Sequence, residues 1–165
     1  MSENILKFSM NRCTSVERLD ENTLRSVCRF RDTFTSASVE ILAGLPDLEI
    51  IKASGEFHHE WQEIPDLDDI LQKLLGVRIG AGMLKIIKGL LGEEENLRQL
   101  TYMVEECCHG VILALTKDFL AQAPVSEEGK LEFFSNMVRD SIRLYNRCAA
   151  FAPGSRLVEG IDPPK

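Results

Sequence analysis

No stretch of about 18 uncharged apolar residues occurs in the sequence, so nothing in it reads as a bilayer-spanning helix. Basic charge is not in excess either, with 19 Lys and Arg against 26 Asp and Glu and a net charge of −7. A protein that grips nucleic acid through its phosphates needs a basic stripe to displace counterions. Residues 1–60 carry 7 basic and 10 acidic groups and residues 61–165 carry 12 and 16, so no half supplies one. Nucleic acid and membrane are therefore not expected partners. Catalytic signatures are missing too: there is no G-x-S-x-G, no phosphate-binding G-x-x-x-x-G-K-[ST] and no dinucleotide fingerprint. The opening MSENILKFSM places Glu3 before any apolar run, and no secretory leader is expected. The five cysteines are an odd number without small-scaffold spacing, and the adjacent Cys107 and Cys108 would bridge poorly. Free thiols in a reducing cytoplasm are the expectation.

What is present is an ordinary globular composition, 44% apolar and 27% charged over 165 residues, which fits a single domain. From Ile5 the residues alternate, with Leu6, Phe8 and Met10 opposite Lys7, Ser9 and Asn11, a period of two that predicts a strand continuing through Val16. Asp20-Glu21-Asn22 reads as a turn. A second strand follows with Leu24, Ser26, Cys28 and Phe30 on one side and Arg25, Val27, Arg29 and Arg31 on the other. Val39 to Leu42 continues the strand pattern up to Gly44-Leu45-Pro46-Asp47, and Leu48 to Phe57 is the last strand, with Gly55 as a bulge.

From residue 65 the period lengthens. Pro65-Asp66 opens a short helix, 82–91 forms a second closed by Gly92, and a long third begins near Glu93. Leu97, Leu100, Val104, Cys108, Val111, Leu115 and Phe119 share one stripe of that third helix at steps of three and four. Ser126 caps a last helix with the stripe Leu131, Phe134, Val138, Ile142, Tyr145 and Cys148, which predicts a buried, inert Cys148. Residues 153–165 read as surface loop. The expected architecture is α+β: an N-terminal antiparallel β-meander over about 5–60, then a C-terminal helical layer over about 65–152 packed on one face of the sheet.

The candidate chemistry gathers around Glu106-Cys107-Cys108-His109. Glu106 and His109 stand at i and i+3, on one helix face. Di-iron bundles need that spacing on two helices, and the last helix has no histidine. A single zinc or iron ion is the remaining metal reading, with His58 or His59 reaching from the last strand. Cys107 and His109 diverge by roughly 200° on a helix, so such a site would use Glu105 or Glu106 with His109. Against this, Cys108 lies on the apolar stripe, where a cysteine is simply core. Gly76-Val-Arg78-Ile-Gly80-Ala-Gly82 is superficially a phosphate cradle but reads more simply as a packed turn.

On Arg31-Asp32-Thr33 closing a strand, the strand Leu48 to Phe57 and the Gly76–Gly82 turn, the chain resembles an uncharacterised bacterial family, domain of unknown function 2889, over roughly residues 5–152. That likeness implies a fold and no activity. Members enter the long helix with Gly-Cys-Thr-His-Leu, where this chain has Asn96-Leu97-Arg98-Gln99-Leu100. A thiol–imidazole site there is missing unless Cys107 to His109 replaces it. In topology alone the chain is also similar to the iron–sulfur scaffold proteins, without their glycine-flanked strand-end cysteines. Two functions follow: a small cytoplasmic binding or adaptor protein, a homodimer without chemistry of its own, or a metal- or thiol-dependent protein using Glu106, Cys107, Cys108, His109 and a strand histidine.

Overall fold

The computed structural model describes residues 7–92, 94–146 and 148–162. Its strands are β1 (Met10–Asp20), β2 (Thr23–Asp32), β3 (Thr35–Gly44) and β4 (Glu49–His59), joined in the order β1-β2-β3-β4 as an antiparallel meander. Helices follow: α1 (Leu67–Gln72), α2 (Met83–Leu91), α3 (Arg98–Leu120) and α4 (Glu127–Asp140). The α+β order expected from the periodicity is therefore the order found. The chain divides into two compact units, Met1–Thr116 and Lys117–Lys165.

Alternation builds the first unit's core. Every second residue of β3 from Thr35 to Ala43 is buried, as are Leu24, Ser26, Cys28 and Phe30 of β2. Strand period places all of these on one face. Over that face lie Leu71 of α1, the following Leu74, Met83, Ile87 and Leu91 of α2, and a broad stripe of α3. The stripe is wider than the sequence implies, taking in Met103 and Cys107 beside Leu100, Val104, Cys108 and Val111. The Ser26 hydroxyl donates to the Cys107 carbonyl at 2.9 Å and seats the helix on the sheet. A Cβ at Gly110 would come within 3.0 Å of Val16 and 3.2 Å of Thr14. Glycine at that point lets α3 lie close against β1.

Several boundaries move. The first strand starts at Met10 and runs on to Asp20, and the alternation at Ile5 and Leu6 lies outside the described residues. The irregularity expected at Gly55 sits instead at Ile51, the extra residue between the Leu42–Lys52 and Ala43–Ile50 pairs. Gly55 serves close packing: a Cβ there would meet the Ser38 carbonyl at 2.7 Å and Leu71 at 3.2 Å. The Gly76–Gly82 turn is no cradle. Its first half pairs along β4, with Gly76 N–H donating to Ile50 O and Ile50 N–H to Val77 O, both at 2.9 Å. Gly82 then caps α2 at φ 82°, a conformation that suits glycine.

In the second unit Ser126 caps α4 as expected, accepting from Gly129 N–H at 3.2 Å. Phe133 packs against Phe119 and Phe134 at 4.7 and 5.3 Å between ring centroids. The helix stops at Asp140, however, and continues only as short 3-10 turns at Ile142–Leu144 and Ala149–Phe151. The apolar period therefore does not carry through to Cys148, which is exposed rather than buried. Val158, in the expected loop, is buried on a further turn at Arg156–Val158.

Candidate functional site

The histidines at the end of β4 and the turn between β2 and β3 meet because of register. Thr35 pairs with His59 and Ser36 with His58, so the last residues of β4 stand beside the start of β3. Asp32 closes the intervening turn: its Oδ1 accepts from Phe34 N–H at 2.8 Å and from Thr35 N–H at 2.6 Å, the self-bonding that makes Asp a turn residue. Burial acts to raise the Asp32 pKa, but those two N–H groups, the Thr35 side chain and the charge of His59 outweigh it and hold the carboxyl below its ordinary value. Glu60 N–H then donates to Phe34 O at 3.1 Å, tying the chain after β4 to the same turn.

Around this turn opens a cavity of about 700 Å³, lined among others by Arg31, Asp32, Phe34, Phe57, His58 and His59. One wall is aromatic, made by Phe34, Phe57 and His59, and Trp61 packs against it from outside the lining. Phe34 and Trp61 lie 4.8 Å apart, Trp61 stands edge-on to His59 at 6.0 Å, and His59 stacks on Phe57 at 6.4 Å and 11°. Trp61 N–H donates to His59 Nδ1 at 3.1 Å and fixes the imidazole's orientation. Phe34 remains 43% and Trp61 71% exposed, so these two rings are surface, while Phe57 packs against the core. The cavity offers fixed donors and acceptors, three carboxylates (Asp32, Glu60 and Glu63) and a set of ring faces, the makings of recognition.

The residues singled out on α3 are arranged otherwise. Cys107 and Cys108 are fully buried, and burial pushes each thiol up to about 12, aided by Cys28 at the first and Glu105 at the second. Cys107 donates its S–H to Val39 O at 3.5 Å. The raised values and the burial disfavour the thiolate that a nucleophile or metal ligand requires. Glu105 pairs with Lys88 at 3.7 Å. Glu106 is half-buried beside Tyr102, whose ring carries the Arg12 guanidinium 4.4 Å above it. His109 is exposed.

Sheet geometry keeps these groups from the strand histidines. Gly110 rests on Thr14 and Val16 of β1, the opposite edge from β4. With strands about 4.8 Å apart and about 3.3 Å per residue, that contact and His59 stand roughly 20 Å apart. His58 alternates to the far face of the sheet. Among the described residues no three His, Cys, Asp or Glu side chains come together to hold a metal ion. The zinc or iron site on Glu106, His109 and His58 or His59, with or without Cys107 and Cys108, is not assembled. The structure brings together Arg31, Asp32, His58 and His59, and adds Phe34, Phe57 and Trp61, which no sequence motif marks.

No helix among the described residues is long and apolar enough to cross a membrane. No protein-family model, no curated protein and no solved structure matches the chain.

Proposed function

We propose that the protein is a small cytoplasmic binding or adaptor protein, without chemistry of its own, that holds a small molecule in the strand-end cavity. The observation that carries this reading is the cavity itself. Its volume of about 700 Å³ falls in the range of small-molecule sites, and its rings are held half-open by the Asp32 turn and the Trp61–His59 bond. The thiols that would serve a reactive site are withdrawn into the core. All five cysteines are free, which supports a reducing compartment. The homodimer expected from the sequence would form along β1, an edge strand with a neighbour on one side only.

Trp61 is the single tryptophan and lies 4.8 Å from Phe34, which lines the cavity, so its emission is expected to respond to a ligand that displaces Phe34. A panel of small aromatic and polar metabolites titrated against the full chain is expected to contain compounds that shift it. Phe34→Ala and His59→Ala should each weaken those compounds about tenfold, the loss of one ring contact or one oriented hydrogen bond. Compounds that bind both variants as tightly as the parent chain would sink the reading.

A further inference from the structure

On the face of the sheet turned away from α1, α2 and α3 most side chains other than Val27 are exposed or half-buried, and its two ends differ in charge. Cross-strand pairing sets Glu17, Arg25, Leu42 and Lys52 in one row and Cys13, Arg29, Ser38 and Glu56 in another, with Asn11, Arg31, Ser36 and His58 in a third. In the first row charges are matched. Arg25 meets Glu17 at 2.8 Å and Glu40 at 2.7 Å, and Lys52 stands 3.9 Å from Glu40. At the other end Arg29 and Arg31 are both exposed, and neither has an ion-pair or hydrogen-bond partner among the described residues.

Alternate residues of one strand point the same way about 6.6 Å apart, so the two guanidinium groups rise side by side. Ser36 and Ser38 present hydroxyls beside them on β3, and His58 follows on β4, around a hollow of about 330 Å³. Glu56 also lines the hollow, but it lies two strands from Arg29, about 10 Å by strand spacing, and leaves the arginine pair uncompensated. Two planar forks and two hydroxyls offer more donors than one carboxylate can accept, whereas the three terminal oxygens of a phosphate can take them all.

We propose that Arg29 and Arg31, with Ser36 and Ser38, form a phosphate-binding site on the open face, and that the ligand of the strand-end cavity is a phosphorylated small molecule. The second half rests on the cavity reading above. Arg31, Ser36 and His58 line both hollows, so a ligand anchored by its phosphate on the sheet face extends round the strand end towards Phe34.

The test is calorimetric titration of the full chain with pyrophosphate and with phenyl phosphate at low ionic strength. Both are expected to bind, and to bind more weakly as salt rises. Arg29→Ala and Arg31→Ala should each weaken both ligands about tenfold or more, with Arg31→Lys in between because it keeps the charge and loses the fork. Lys52→Ala removes the same charge from the other end of the face and should change neither ligand more than about twofold. Phe34→Ala should weaken phenyl phosphate alone. Absence of binding by both ligands, binding by either arginine-to-alanine variant as tight as by the parent chain, or an equal loss in Lys52→Ala overturns the phosphate site. If the arginine dependence holds but phenyl phosphate ignores Phe34→Ala, the extension into the cavity is overturned and the anion site stands.

Discussion

Cys107 and Cys108 lie wholly buried where α3 crosses the sheet, while His58 and His59, at the end of β4, face an open cavity among half-exposed rings. Both regions hold residue types that carry chemistry. On α3 the apolar contacts of Leu100, Met103, Val104 and Val111 take the cysteines into a dry interface, where burial raises the thiols to about 12 and removes the thiolate. At the strand end a turn that satisfies its own backbone through Asp32 leaves side chains free to meet a ligand. Residue identity thus says less about a site than the packing that exposes or hides it.

The sharpest way to break this comparison is thiol labelling. A shift from the ordinary 9.0 to about 12 lowers the thiolate fraction about a thousandfold at neutral pH, before any loss of access. Native protein is expected to react first at the exposed Cys13 and Cys148, and at Cys28, Cys107 and Cys108 only as it unfolds. Modification of Cys107 at the rate of Cys13 in native protein would refute the buried seat of α3. Next in size, Leu100→Ala should cost about 3 kcal/mol in urea denaturation, because it empties a fully packed core position. Trp61→Ala should stay within about 0.5 kcal/mol, since that side chain is largely solvated. Comparable losses at the two positions would remove the distinction between core and ligand surface. Gly110→Val should cost about 2 kcal/mol, as the added carbons run into Thr14 and Val16.

How much of this was legible depends on range. The alternation of Leu24, Ser26, Cys28 and Phe30 and the three- and four-residue steps of α3 are local, and they mark the sheet, its buried face and the covering helix. The end of α4 was not legible, because no Gly or Pro occurs between Asp140 and Pro153 and the apolar steps run on through Ile142 and Tyr145. The candidate site was legible only in pieces. Arg31-Asp32-Thr33 and His58-His59 each stand out in the sequence, but only the Thr35–His59 register joins them. Phe34 and Trp61 had no signal beyond being large apolar residues beside turns. Among the arginines of β2, the matched Arg25 and the unmatched Arg29 and Arg31 look alike until Glu17 and Glu40 are placed across the strands.

The smallest expected effect tests the Asp32 turn itself. Its carboxyl sits below the ordinary value in the folded chain, so the negative form is favoured by folding. The stability it contributes is therefore fully present above the unfolded value of about 3.9 and is lost as pH falls through the lower folded value. Because the group is largely in contact with water, the contribution is modest and screened by salt. The expected readout is local: as pH falls below the ordinary carboxylate value of about 3.9, the Phe34–Trp61 contact loosens and Trp61 emission changes, because Phe34 N–H and Thr35 N–H lose a charged acceptor. Asp32→Asn keeps an acceptor oxygen but no charge, and its emission should be flat over that range. The stability difference between the two proteins should shrink towards acid and be constant above about pH 5. An unchanged Trp61 titration in Asp32→Asn would mean that another group governs the wall of the cavity, and the turn would lose its place in holding the site open.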